Sequence, residues 1–197
     1  MKKTNYHTHT YRCGHANGNE EDMIQAAIDM GIEELGMCCH VPFPHYRKHL
    51  IRSLPSVRGV RSLLSLLKAI IKDGPNMRMP YRDMETHLEL LSQYQKSYED
   101  KIKIYKGFEA EGLSVYFDYY QKLLYEHKVD YLILGHHFHK HCISNDYFGK
   151  EKMTKKDIYL YCNDVEKALE TNLFSYLAHP DLFLIGYNQF DLAQAAR

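Results

Sequence analysis

The chain has 197 residues, enough for one domain with a sizeable core, and its 25 Lys and Arg balance its 25 Asp and Glu. Zero formal net charge without a long basic block argues against nucleic acid as a partner, and no apolar run approaches the roughly 18 residues that cross a membrane. Five cysteines with no CxxC pair, behind an N-terminus that lacks an apolar signal region, indicate a reduced, cytoplasmic protein.

Residues 2–7 read as a first strand that leads into His7-Thr8-His9. Side chains alternate along a strand, so His7 and His9 face one side, where they can hold one metal ion. The glycine-bearing loop 8–18 then carries Cys13-Gly14-His15. Asn19 is an N-cap for a helix over 20–30, with Glu20, Glu21 and Asp22 in its first turn and Gly31 just past its end. Residues 32–39 form a second strand that ends on His40. Pro42 and Pro44 oppose a helix, so 41–80 is the least regular stretch and reads as a helical insertion over the loop face. Within it, Leu63, Leu64, Leu67, Ile70 and Ile71 recur at helical spacing and predict a helix over 57–73. The basic residues Arg47, Lys48, Arg52, Arg58 and Arg61 either attract an anionic substrate or form a solvated face.

A long helix is predicted over 81–99, followed by a third strand, 101–108, that ends on Glu109-Ala110-Glu111. A tyrosine-rich helix over 114–127 precedes a fourth strand, 129–134, whose continuous apolar run suits a buried parallel sheet. That strand ends on Gly135-His136-His137. Thr154 caps a helix that runs to 170, a fifth strand at 173–178 ends on His179-Pro180-Asp181, and something helical begins at Asp191. Alternating strands and helices predict an α/β fold with a parallel sheet and right-handed crossovers. In a parallel barrel the site lies at the C-terminal strand ends, where His7, His9, His40, Glu109, His137 and His179 all fall.

Imidazole and carboxylate are the donors that borderline divalent metals prefer. Several histidines and a carboxylate around adjacent metals suit phosphate-ester hydrolysis, and Glu109 is the natural bridge because its two oxygens can bind two ions. Asp181 and Glu111 are candidates to orient the ligands, with His136 a neighbour of the site. No GxSxG elbow or P-loop offers a competing nucleophile or phosphate cradle.

At these residues the chain resembles the PHP (polymerase and histidinol phosphatase) superfamily of metal-dependent phosphoesterases, and within it the monofunctional histidinol-phosphatase branch. The resemblance rests on His7-Thr8-His9 with His15, on His40, on Gly107-Phe108-Glu109, on Leu134-Gly135-His136-His137-Phe138 and on Ala178-His179-Pro180-Asp181, in that order over the whole chain. It implies a distorted (βα)7 barrel and up to three metal positions, occupied by zinc, manganese or iron. One would use His7, His9 and Glu109, a second Glu109, His137 and His179, and a third His15 and His40. Glu109 and His40 are the expected catalytic residues, and Arg47, Arg82, Glu111 and Lys140 the expected contacts of a small phosphorylated substrate. The implied reaction is hydrolysis of histidinol phosphate to histidinol and phosphate in histidine biosynthesis.

The chain departs from the family pattern in one respect. The pattern closes with Asp-x-His near its C-terminus, and none follows His179. One domain, 1–197, lacking the last strands of the barrel is therefore expected. His139, His141 and Asp146 are candidates to replace the missing ligands, and the open barrel favours self-association. The alternatives to histidinol phosphate are a nucleotide or another small phosphate ester, or a truncated metal-binding relic with little turnover.

Overall fold

The computed structural model describes residues 2–14, 16–53, 57, 59–72, 77–139 and 147–186. Strands β1 (Thr4–Thr8), β2 (Glu34–His40), β3 (Lys103–Ala110) and β4 (Tyr131–Leu134) lie side by side in that order, all parallel. Among the described residues the helices are α1 (Glu20–Asp29), α2 (Tyr46–Ser53), α3 (Val60–Lys72), α4 (Met84–Ser97), α5 (Phe117–Tyr125) and α6 (Lys155–Glu170). The expected α/β alternation with a parallel sheet is therefore observed.

β2 is buried at every position because both of its faces are covered. On one face, Leu35 and Met37 pack with Ile102 and Ile104 of the β3 region against Ile24 and Ala27 of α1 and Leu91 of α4. On the other, Cys38, Ile133 and Ala178 form an inner layer with Tyr131 against it. Gly36 and Gly107 make room for that tyrosine. A Cβ at Gly36 would fall 1.9 Å from the Tyr131 hydroxyl oxygen, and one at Gly107 would fall 2.3 Å from Tyr131 Cζ. The Tyr131 hydroxyl donates across the sheet to the Tyr6 carbonyl at 2.7 Å.

The caps read from the sequence are present. Asn19 Oδ1 accepts from Asp22 N at 2.9 Å while Asp22 Oδ2 accepts from Asn19 N, and Thr154 and Asp157 repeat the device at α6. Two expectations change. The segment 173–178 runs along β4 through Ser175 N to Leu132 O and Ala178 N to Leu134 O, but makes only one bridge, Leu134 to Leu177. The ladder is cut short at His179, whose φ of 31° leaves the extended region just before Pro180. Second, α2 was not foreseen after Pro42 and Pro44. Those prolines precede the helix rather than interrupt it, and Tyr46 and Leu50 bury one face at i, i+4 spacing. The predicted helix at Asp191 lies outside the described residues.

Behind β1, the buried carboxylate of Glu20 accepts from Arg12 Nε, and its Oε1 lies 3.3 Å from His87 Nδ1. Burial raises this carboxyl, but His87 and Arg12 outweigh it and hold it at about 2. A carboxyl lowered on folding stabilises the native state above its unfolded pKa, near 4.5, and that contribution is lost as pH falls toward 2. Denaturant titrations between pH 6 and pH 2 should show an acid loss that Glu20→Gln reduces by roughly 2–3 kcal/mol. An unchanged acid limb in the variant would remove Glu20 from the account.

Candidate metal centre

Glu109 is 1% exposed, and imidazoles face both of its carboxylate oxygens. Oε2 lies 3.3 Å from His7 Nε2, 3.1 Å from His9 Nε2 and 3.1 Å from His40 Nδ1. Oε1 lies 2.8 Å from His179 Nε2 and 3.5 Å from His137 Nε2. Strand geometry produces this convergence. His40 and Glu109 are cross-strand partners on β2 and β3, β1 delivers His7 and His9, and β4 runs into His137. Two groups have donor atoms close enough to hold an ion: His7, His9 and Glu109, and His40, Glu109 and His137.

The electrostatics suit a cation. Burial pushes the Glu109 carboxyl up, but the facing His179, His7 and His9 imidazoles outweigh it and hold it far below the usual range, so it stays ionised. His40 is 3% exposed, and burial, with Arg78 adding to it, drives its pKa well down and keeps it neutral, the form that donates a lone pair. Burial lowers His179, but its hydrogen bond to Glu109 more than offsets this, and the net shift is upward. Among the described residues, Glu109 Oε2 and His179 Nδ1 are buried without a well-formed hydrogen bond. Imidazoles and an ionised carboxylate turned inward on the same points are a donor set for divalent metal.

Supporting residues aim the ligands. Glu111 is fully buried, and its Oε1 lies 3.0 Å from His137 Nδ1. An ionised carboxylate accepts a hydrogen bond from Nδ1–H, leaving the Nε2 lone pair toward Glu109. Glu111 Oε2 also accepts from the backbone N–H of His137 at 2.6 Å and of Phe138 at 3.2 Å. Arg78 closes the arrangement. It donates from Nη2 to Glu111 and from Nη1 to the Val41 carbonyl at 3.0 Å, with its guanidinium 4.5 Å above the Phe43 ring. Cys13 does similar work for β1: its buried sulfur sits 3.3 Å from His9 Nδ1 and accepts from His40 N at 3.2 Å. Contact with Cys39 and burial raise the Cys13 thiol, whose sulfur faces His9 Nδ1 and so orients that ring.

Several sequence expectations are revised here. Glu111 cannot touch substrate, being 0% exposed and committed to Arg78 and His137. Arg47 is spent on the C-terminus of α3, donating to the carbonyls of Ile70 and Ile71. Arg82 is exposed beside Asp83 at 3.7 Å. Asp181 is exposed at the turn after His179, and no hydrogen bond from its carboxylate to a ligand is seen among the described residues. His136 is buried against the site's support: its Nδ1 accepts from Gly112 N at 3.1 Å, and its Nε2 lies 3.4 Å from Asp164. His139 also turns to Asp164, at 2.7 Å, so it does not replace a ligand. His15, Lys140, His141 and Asp146 lie outside the described residues. Sequence reading missed Arg78 and Asp164, and gave Cys13 no orienting role.

Gly135 abuts Glu109, and a Cβ there would fall 2.0 Å from Glu109 Oε1. Gly135→Ala should push the carboxylate off its mark and lower metal affinity by about 10- to 100-fold, the usual cost of disturbing a ligand's support. Metal retained after dialysis, read by elemental analysis beside an unchanged circular dichroism spectrum, measures this. Full retention would mean the carboxylate has room to relocate.

A parallel α/β sheet bearing a histidine and carboxylate cluster at its C-terminal edge defines a metal-site protein. The chain belongs to the PHP domain family, whose model matches residues 5–197. A Deinococcus radiodurans protein assigned as a histidinol-phosphatase is 24% identical over 183 residues, which cover 89% of this chain and 59% of that protein. The chain thus spans about three-fifths of that relative's length. Two solved structures share the fold. Listeria monocytogenes hisK, assigned as a histidinol phosphatase, has a TM-score of 0.66 at 20% identity over 92% of this chain and 68% of its own. The Lactococcus lactis histidinol phosphate phosphatase, solved with zinc, L-histidinol and phosphate, has a TM-score of 0.61 at 16% identity over 91% and 58%.

Proposed function

We propose that the chain is a metal-dependent phosphomonoesterase that hydrolyses histidinol phosphate to histidinol and phosphate. The observation that carries this reading is the ionised Glu109 carboxylate, with three imidazole nitrogens at one oxygen and two at the other. His7, His9 and Glu109 would hold one divalent ion and His40, Glu109 and His137 a second, with His179 beside Glu109 Oε1. Zinc, manganese and iron all suit these donors. When bound, such ions neutralise phosphoryl oxygens and lower the pKa of a coordinated water.

The chain's own residues prepare that chemistry. Glu109 turns Oε2 to His7, His9 and His40 and Oε1 to His137 and His179, so both ligand groups pass through it. Glu111 fixes the tautomer of His137, Cys13 orients His9, and burial keeps His40 neutral. The substrate assignment draws on the Deinococcus and Lactococcus relatives, the latter solved in complex with zinc, L-histidinol and phosphate. In this reading residues 1–197 form one PHP domain, with 41–80 set into it, acting in the cytoplasm in histidine biosynthesis.

The test is phosphate release by the purified, metal-loaded chain on histidinol phosphate, a nucleoside monophosphate and an aryl phosphate. A kcat/KM for histidinol phosphate at least about a hundredfold above the other two supports the assignment. Preference for either of the others would replace the substrate and keep the chemistry. Bound metal without turnover on any of them would leave a metal-binding domain and defeat the enzyme reading.

A further inference from the structure

We propose that α3 docks this protein onto an anionic phospholipid surface. Residues 41–72 hold seven of the chain's 25 Lys and Arg and none of its 25 Asp and Glu, so an otherwise balanced molecule carries one strongly cationic segment. α3 lies inside that segment and has more apolar surface than the fold covers. At about 100° per residue, Leu66 and Ile70 share one edge of the helix, and these are the positions buried or half-buried. Val60, Leu63, Leu64, Leu67 and Ile71 fall on an adjoining arc of about 100°. All five are exposed, Val60 and Ile71 by about three-quarters. Arg61 and Lys68, both exposed, lie beside the arc on the side away from the buried seam, and Lys72 follows them in the sequence.

An apolar arc bordered by cations is the pattern of a helix that lies in a membrane interface, with apolar side chains sunk among the acyl chains and basic stems reaching to the headgroups. α3 is about 20 Å long, too short to span a bilayer and long enough to lie along one. No described helix is long and apolar enough to cross a membrane, so attachment would be peripheral. A second copy is a poor occupant, because pairing two such helices brings two all-cationic segments together. A folded acidic partner fits less well, since the exposed arc is Leu, Ile and Val without the aromatic anchors that dominate specific interfaces. An anionic bilayer needs only interchangeable apolar groups and positive charge. Each basic residue near such a surface adds about 1 kcal/mol of attraction, screened by salt.

The experiment is co-sedimentation of the whole 197-residue chain with vesicles of pure phosphatidylcholine or of phosphatidylcholine and phosphatidylglycerol in a 3:1 ratio. Leu64→Gln/Leu67→Gln is the apolar variant and Arg61→Gln/Lys68→Gln the charge variant. Both change exposed positions, and unchanged thermal melts show that folding is retained. The expected result is binding to the anionic vesicles only, weakened by 0.5 M salt and reduced at least about tenfold by either variant. Three results would overturn the proposal. One is equal sedimentation with both vesicles. Another is anionic binding that the Leu variant leaves intact, which means charge alone. The third is a dimer in light scattering that the Leu variant converts to monomer, which gives the face to a second copy.

Discussion

Glu109→Gln should lose bound metal and turnover together. The substitution preserves shape and removes the ability to bridge: an amide has one acceptor oxygen, and its NH2 would face imidazole nitrogens that now converge on a carboxylate at 2.8–3.5 Å. Both ligand groups pass through this residue, so neither survives intact. Metal content should fall from about two ions per chain to one or fewer, and phosphate release by at least about a thousandfold, equivalent to some 4 kcal/mol of transition-state stabilisation. Elemental analysis and single-turnover phosphate release on one preparation measure both. Retained turnover would shift the bridging role to another group and sink the two-ion arrangement.

Arg78→Met should be the most destabilising change in the supporting structure. It leaves the Glu111 carboxylate fully buried without its guanidinium partner and frees the Val41 carbonyl. Breaking a buried pair by removing one partner costs about 3–5 kcal/mol. Urea denaturation should record that loss. Arg78→Met/Glu111→Gln should recover part of it, because the uncompensated charge has gone. The double variant should still bind metal about 10- to 100-fold more weakly than wild type, since His137 no longer has a carboxylate to fix its tautomer. If the single and double variants are equally unstable, the cost comes from lost packing over Phe43.

The parts of the site that follow from strand periodicity were legible in the sequence. His7 and His9, two apart, had to share a face. The apolar runs also placed His40 and His137 at one end of a parallel sheet. What stayed hidden were contacts between segments distant in sequence. Arg78 meets Glu111 thirty-three positions later, and no local pattern announces it. Glu111 was read both as a residue that orients a ligand and as a substrate contact, and its burial between Arg78 and His137 leaves the first role. His139 looks like a spare ligand until its Nδ1 is seen to turn to Asp164. The fifth strand failed locally, where the backbone of His179 and the ring of Pro180 end the extended run.

The fit between Tyr131 and the two glycines beneath it also governs which substitutions the sheet can accept. Volume is exchanged among three strands: what β4 adds in a phenol ring, β2 and β3 give up as absent methyl groups at Gly36 and Gly107. None of the three positions can drift alone. A methyl at either glycine has to be matched by a smaller residue at 131, and shrinking Tyr131 alone would open a void under the inner layer and strand the Tyr6 carbonyl. The three positions form one packing unit, and a designer reshaping this sheet would have to move them together.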